Sequence, residues 1–128
     1  MAVELSEYFD EAVSLFETAR TEVQFRNAIS RGYYGVYYMA LQVADRGAVI
    51  PLGSLSGSTH KKLSDFFGEN LNANKDLRLK MRSIGIRLRN LHATRCKADY
   101  WLDDVISGVD AEAHFKLCNA VIERVNSV

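Results

Sequence analysis

Four basic residues, a histidine, an aspartate and a tyrosine crowd into the stretch Arg87 to Tyr100, RLRNLHATRCKADY. Arg89, His92, Arg95 and Asp99 follow one another at about one helical turn, so they are neighbours along one side of a helix. Arginine and histidine without a carboxylate dyad or a set of metal ligands suit chemistry on a phosphodiester. A histidine of near-neutral pKa can take a proton from a 2′-hydroxyl or give one to a leaving 5′-oxygen, and an arginine can neutralise the charge that develops on phosphorus. Such a reaction needs no metal and no cofactor, and the sequence carries no P-loop, nucleophile elbow or metal-ligand cluster.

The element that must position these groups is a long helix starting near residue 75. Met81, Ile84, Leu88, Leu91, Arg95, Ala98, Leu102 and Val105 alternate in steps of three and four, the seam of a helix that buries one stripe. Arg95 falls on that seam. A guanidinium cannot shed its proton, so there it needs a carboxylate, several acceptors, a wet cleft or a subunit interface. Asp99, one turn later, is the nearest partner. The helix either runs past Tyr100 or bends near Asp103 and Asp104, with Gly108 as its end and Asp110 as the next N-cap.

Upstream, residues 4 to 20 place Leu5, Tyr8, Ala12, Leu15, Phe16 and Ala19 at helical spacing, with acids in the early turns. Residues 22 to 46 continue as a second helix with Phe25, Ile29, Gly32, Val36, Met39 or Ala40, and Val43 inside, and Gly47 as its C-cap. Gly32 and Gly35 mark a close backbone approach, and Tyr33, Tyr34, Tyr37 and Tyr38 ring the same turns as core and boundary aromatics. Gly47 to Ser58 is a loop. Ser58 or Thr59 caps a third helix from His60 to about Leu71, with Leu63, Phe66 and Phe67 inside. His60 is either a surface histidine near that cap or a site residue, if the helix start points at the central cleft. A last helix buries Phe115 or His114, Leu117, Cys118, Val121, Ile122 and Val125. The architecture expected for residues 1–128 is a single all-α domain, an up-and-down bundle of about five helices with the second and fourth as its central pair.

Net charge is zero, but residues 75 to 97 carry Lys75, Arg78, Lys80, Arg82, Arg87, Arg89, Arg95 and Lys97 against Asp76 alone. This basic helix either packs between acidic neighbours, which gather in residues 1 to 22 and 99 to 128, or faces a phosphate-bearing ligand. Cys96 and Cys118 lack metal or redox spacing and read as reduced thiols. No apolar run is long enough to cross a membrane and the acidic N-terminus is unlike a signal, so a cytoplasmic location is expected.

The patterns SRGYYGVYYMA at residues 30 to 40, STHKKLSDFF at 58 to 67 and LHATRCKADY at 91 to 100 together resemble the HEPN family of small α-helical domains. The resemblance spans nearly the whole chain. It implies a helical bundle that often dimerises and, in many members, a metal-independent endoribonuclease site at the dimer cleft, defined by an arginine followed after four to six residues by a histidine. Arg87 and His92 satisfy that spacing, although Leu88 stands where a polar residue is common, and the pair lies about 140° apart around an ideal helix. They would converge only across a cleft or with a second subunit. Arg95, Asp99 and Tyr100 resemble the branch encoded beside minimal nucleotidyltransferases in toxin–antitoxin pairs. They read either as an ion pair with Tyr100 as its lid or as part of the site; Arg31, Ser30, Tyr34 and Tyr37 are expected to reach the same cleft. The implied functions are an RNA-cleaving toxin acting as a homodimer, with His92 as acid or base and Arg87 on phosphate. The alternative is a non-catalytic module binding a nucleotide, a nucleic acid or a nucleotidyltransferase partner. A helical interaction protein without a ligand is a third.

Overall fold

The second helix is the hub of the bundle. In the computed structural model, which describes residues 2–46, 50–54 and 57–128, the helices are α1 (Leu5–Thr18), α2 (Glu22–Asp45), α3 (Thr59–Gly68), α4 (Lys75–Tyr100) and α5 (Gly108–Asn126), with one 3₁₀ turn at Leu52–Ser54. Helix α2 packs on all the others, and α4 packs on α2, α3 and α5. This is the all-α bundle expected, with the expected central pair. Among the described residues no helix is long and apolar enough to cross a membrane.

Side-chain caps set the helix starts. Thr21 and Gln24 form a capping box at α2, Ser58 caps α3 by accepting from the Lys61 amide, and Asn74 caps α4 by accepting from Leu77. At α5 the N-cap is Ser107; Asp110, which the sequence suggested as the cap, instead completes the box from the first turn. Helix α3 stops at Gly68, short of Leu71, which is exposed. Gly47, the expected C-cap of α2, lies outside the described residues; Arg46 holds the cap position.

Helix α4 ends at Tyr100 and does not continue to Gly108. Leu102 and Val105, expected on its seam, are therefore 74 % and 76 % exposed, while Met81, Ile84, Leu88, Leu91 and Ala98 are buried. The cause is Arg26 on α2. Its buried guanidinium donates to the carbonyls of Lys97, Ala98, Trp101 and Asp104 and pairs with Glu22 at 3.1 Å, while Glu22 also accepts from the Ile106 amide at 2.9 Å. Carbonyls that a longer helix would satisfy internally are satisfied by this side chain, and the chain turns.

Close approaches fix the other crossings. A Cβ on Gly35 would lie 2.9 Å from the Phe9 Cα, the backbone contact expected there, whereas the nearest neighbours of one on Gly32 are the side chains of Phe115 and His114. The tightest approach is Gly85, where a Cβ would lie 2.3 Å from the Gly68 amide nitrogen. It lets α3 lie against α4, and so sets where the α3 side chains fall relative to those of α4.

Candidate functional site

The α3–α4 crossing brings the start of α3 against the middle of α4. His60, in the first turn of α3, meets His92 with ring centroids 4.8 Å apart. Beneath them Tyr33 of α2 places its hydroxyl 2.7 Å from Nδ1 of His60, and the rings of Tyr37 and Tyr33 lie 4.8 Å from His60 and 5.6 Å from His92, respectively. Ser58, His60, Lys61, Ser64, Arg89 and His92 line an open cleft of about 250 Å³. It opens at the first turn of α3, where backbone N–H groups lack helical acceptors and the helix dipole favours an anion.

Charge in the cleft is balanced through Asp65, which pairs with Lys61 at 2.6 Å and with Arg89 at 2.7 Å. These hydrogen bonds, Lys61's first, hold the Asp65 carboxyl below its usual range, and Asp65 in turn raises the Lys61 amine. Burial lowers the pKa of His60, helped by the charges of His92 and Arg95; burial followed by Arg95 lowers that of His92. Both rings are therefore biased to the neutral form when the cleft is empty. The Tyr33 phenol is raised, chiefly by burial.

Arg95 is held beside the cleft and not in it. Its Nε lies 2.7 Å from Oδ2 of Asp99, an ion pair whose N–H is turned out of hydrogen-bonding alignment. The guanidinium also lies over the rings of Tyr34 at 5.1 Å and Tyr100 at 5.4 Å. Asp99 accepts from the Ser30 hydroxyl at 3.1 Å. The seam arginine thus has the carboxylate and aromatic partners its position demands, with Tyr100 as an exposed flank.

The remaining expected residues lie elsewhere. Arg87 donates to Ser83 on its own helix and is not among the residues lining the cleft of His92. Within one chain the arginine that shares that cleft is Arg89. Arg31 is exposed and lines a different cavity, with Tyr8, Glu11, Leu15, Tyr34 and Tyr38. Lys61, Ser64 and Asp65 were not singled out by the sequence; their one signal is that they follow His60 within a turn or two. Two of the basic helix's cations have acid partners, Arg89 with Asp65 and Arg95 with Asp99, while Arg78 and Arg82 donate to the carbonyls of Asn72 and Asn70. Neither acid belongs to the N-terminal group.

Among the described residues no group of three His, Cys, Asp or Glu side chains is arranged to hold a metal ion. The cleft groups are instead suited to an anion: Arg89 and Lys61, two cations that share the single carboxylate of Asp65, two histidines that can gain charge, and the hydroxyls of Ser58 and Ser64. No protein-family model, curated protein or solved structure matches the chain.

Proposed function

We propose that the chain is a HEPN-like binding module that holds the phosphate of a nucleotide or of RNA in the cleft between α3 and α4. The observation that carries this reading is that His60, His92 and Arg89, from two helices, line one open cleft at the start of α3. It is supported by the three stretches that resemble the family. Tyr33 and Ser30 from the first, His60 from the second, and His92, Arg95 and Asp99 from the third meet around this one place. The test is anisotropy of a labelled oligoribonucleotide at low salt. Wild type is expected to bind, and His92→Gln and Arg89→Gln each to weaken binding by roughly fivefold or more, the worth of a charge-assisted contact. A wild type that binds neither the oligomer nor a nucleotide sinks the reading.

A second reading, a metal-independent endoribonuclease, is favoured by one observation: two histidines lie 4.8 Å apart, ring to ring, in one open cleft. One would take the 2′-hydroxyl proton as that oxygen attacks phosphorus, and the other, protonated, would give its proton to the departing 5′-oxygen, leaving a 2′,3′-cyclic phosphate and a 5′-hydroxyl. An Arg87–His92 site of the family's kind would require Arg87 from a second copy. Incubating wild type and His92→Ala with RNA in EDTA separates the readings: cleavage by wild type alone favours the nuclease, and equal outcomes for the two proteins remove it. A toxin restrained by a nucleotidyltransferase partner would then show as growth arrest on expression, relieved by the same substitution.

A further inference from the structure

Tyr34 belongs to two places at once. Its ring is in contact with that of His60, centroids 6.0 Å apart, and it also lines a second cavity of about 320 Å³ on the α1–α2 face with Tyr8, Glu11, Leu15, Arg31 and Tyr38. We infer that this cavity seats an unpaired base of a single-stranded nucleic acid whose backbone phosphate lies in the cleft of His60, His92 and Arg89. The inference rests on the phosphate-binding reading and specifies the ligand's class.

Three features of the cavity match a base. Tyr8 and Tyr38 stand with ring centroids 4.9 Å apart and Tyr8 is 45 % exposed, so ring surface is presented to solvent instead of being covered by the fold. Base-on-tyrosine stacking uses such surface and is indifferent to base identity. The cavity's charged groups are of opposite kinds: Glu11 only accepts and Arg31 only donates, and a base edge offers donors and acceptors side by side. Arg31 is exposed and, among the described residues, makes no ion pair, so its donors are uncommitted.

The third feature is position. Ring centroids step 6.0 Å from His60 to Tyr34 and 6.1 Å from Tyr34 to Tyr38, so Tyr34 links a residue of the cleft to a residue of the cavity. A strand, with bases and phosphates in alternation, is the ligand that needs both. A duplex keeps its base faces stacked and cannot offer one to Tyr8 without flipping it.

Anisotropy with a labelled oligouridylate and with an abasic oligomer of equal length tests this. Tyr8→Ala is expected to weaken oligouridylate binding by about tenfold, the worth of one stacked base. Tyr8→Phe keeps the ring and is expected to bind as wild type does, with thermal unfolding confirming that both variants fold. The abasic oligomer should bind wild type about as weakly as oligouridylate binds Tyr8→Ala, and should not respond to that substitution; this arm needs no variant to fold. If abasic and base-bearing oligomers bind wild type equally while His92→Gln still weakens both, the base site is overturned and the phosphate cleft stands. If wild type binds neither, both readings fall together. A duplex or free uridine monophosphate that binds as tightly as the single strand also overturns the proposal.

Discussion

The Tyr33 hydroxyl and the Nδ1 of His60 are 2.7 Å apart, a hydrogen bond whose donor is set by the tautomer of the ring, and the expected arrangement is the phenol donating to a neutral imidazole. His60 then carries its proton on Nε2, where it can donate to a ligand. Nitrogen NMR of the histidine side chains is expected to show one tautomer for His60 in wild type and a mixture in Tyr33→Phe. Oligonucleotide affinity should fall a few-fold in that variant, and stability by about 1 kcal/mol for the lost hydrogen bond. A wild-type ring protonated on Nδ1 would contradict the assignment.

Ligand binding should take up protons. His60 and His92 have pKa values held below the ordinary imidazole range, by burial first and then by neighbouring positive charge, so both are biased to neutrality in the empty cleft. An anion favours their charged forms, while a phosphodiester keeps its single charge throughout this range. Affinity is therefore expected to rise as pH falls from 7 toward those lowered values, by up to about tenfold per pH unit for each proton gained. His92→Gln should flatten the profile. An affinity that climbs with pH would take the histidines out of the site.

Gly85→Ala tests whether the α3–α4 crossing positions the site. The added Cβ would meet the backbone of Gly68, 2.3 Å from its nitrogen and 2.5 Å from its Cα, and the carbonyl of Ser64 at 2.8 Å. Backbone cannot rotate aside, so α3 must move. The expected cost is about 2–3 kcal/mol by denaturant unfolding, against the roughly 1 kcal/mol that alanine gains over glycine in a helix. Gly32→Ala meets side chains, the Phe115 ring at 3.1 Å and His114 Nε2 at 3.6 Å, and should be milder. Because the same shift separates His60 from His92, Gly85→Ala should also lose oligonucleotide binding under conditions where it remains folded. Normal binding in the folded variant would show that the crossing does not set the site.

Periodicity made the α4 seam and its half-buried arginine legible, and local spacing named Asp99 as the partner that Arg95 has. It failed where distant parts of the chain decide. The end of α4 depends on Arg26, separated by 71 to 78 residues from the carbonyls it caps, so Leu102 and Val105 kept a helical rhythm without a helix. Arg31 follows Ser30 in the sequence, yet a step of one residue turns about 100° around a helix, and only Ser30 reaches Asp99. Lys61 and Ser64 became cleft residues through the Gly68–Gly85 contact, which has no signature beyond two glycines in separate helices.

Acid stability should turn on His114, which the sequence placed in the core as an alternative to Phe115; both are buried. Its Nε2 lies 3.0 Å from the Ile29 carbonyl, while Nδ1 is buried without a hydrogen-bond partner, so the ring sits neutral as a donor and charging it would bury an uncompensated cation. Burial lowers its pKa to about 4, against 6.5 for the exposed side chain. The unfolded chain therefore binds this proton more readily, and the stability that neutral His114 supports is complete above pH 6.5 and drains away as pH falls toward 4. Between pH 7 and 5 its share is about 2 kcal/mol. His60 and His92, also lowered, act in the same direction. Urea unfolding at the two pH values is expected to show a loss of at least this size in wild type and a smaller one in His114→Gln, which keeps a donor for Ile29 but does not titrate. Equal losses in the two proteins would show that His114 remains neutral, or hydrated, for reasons other than its burial.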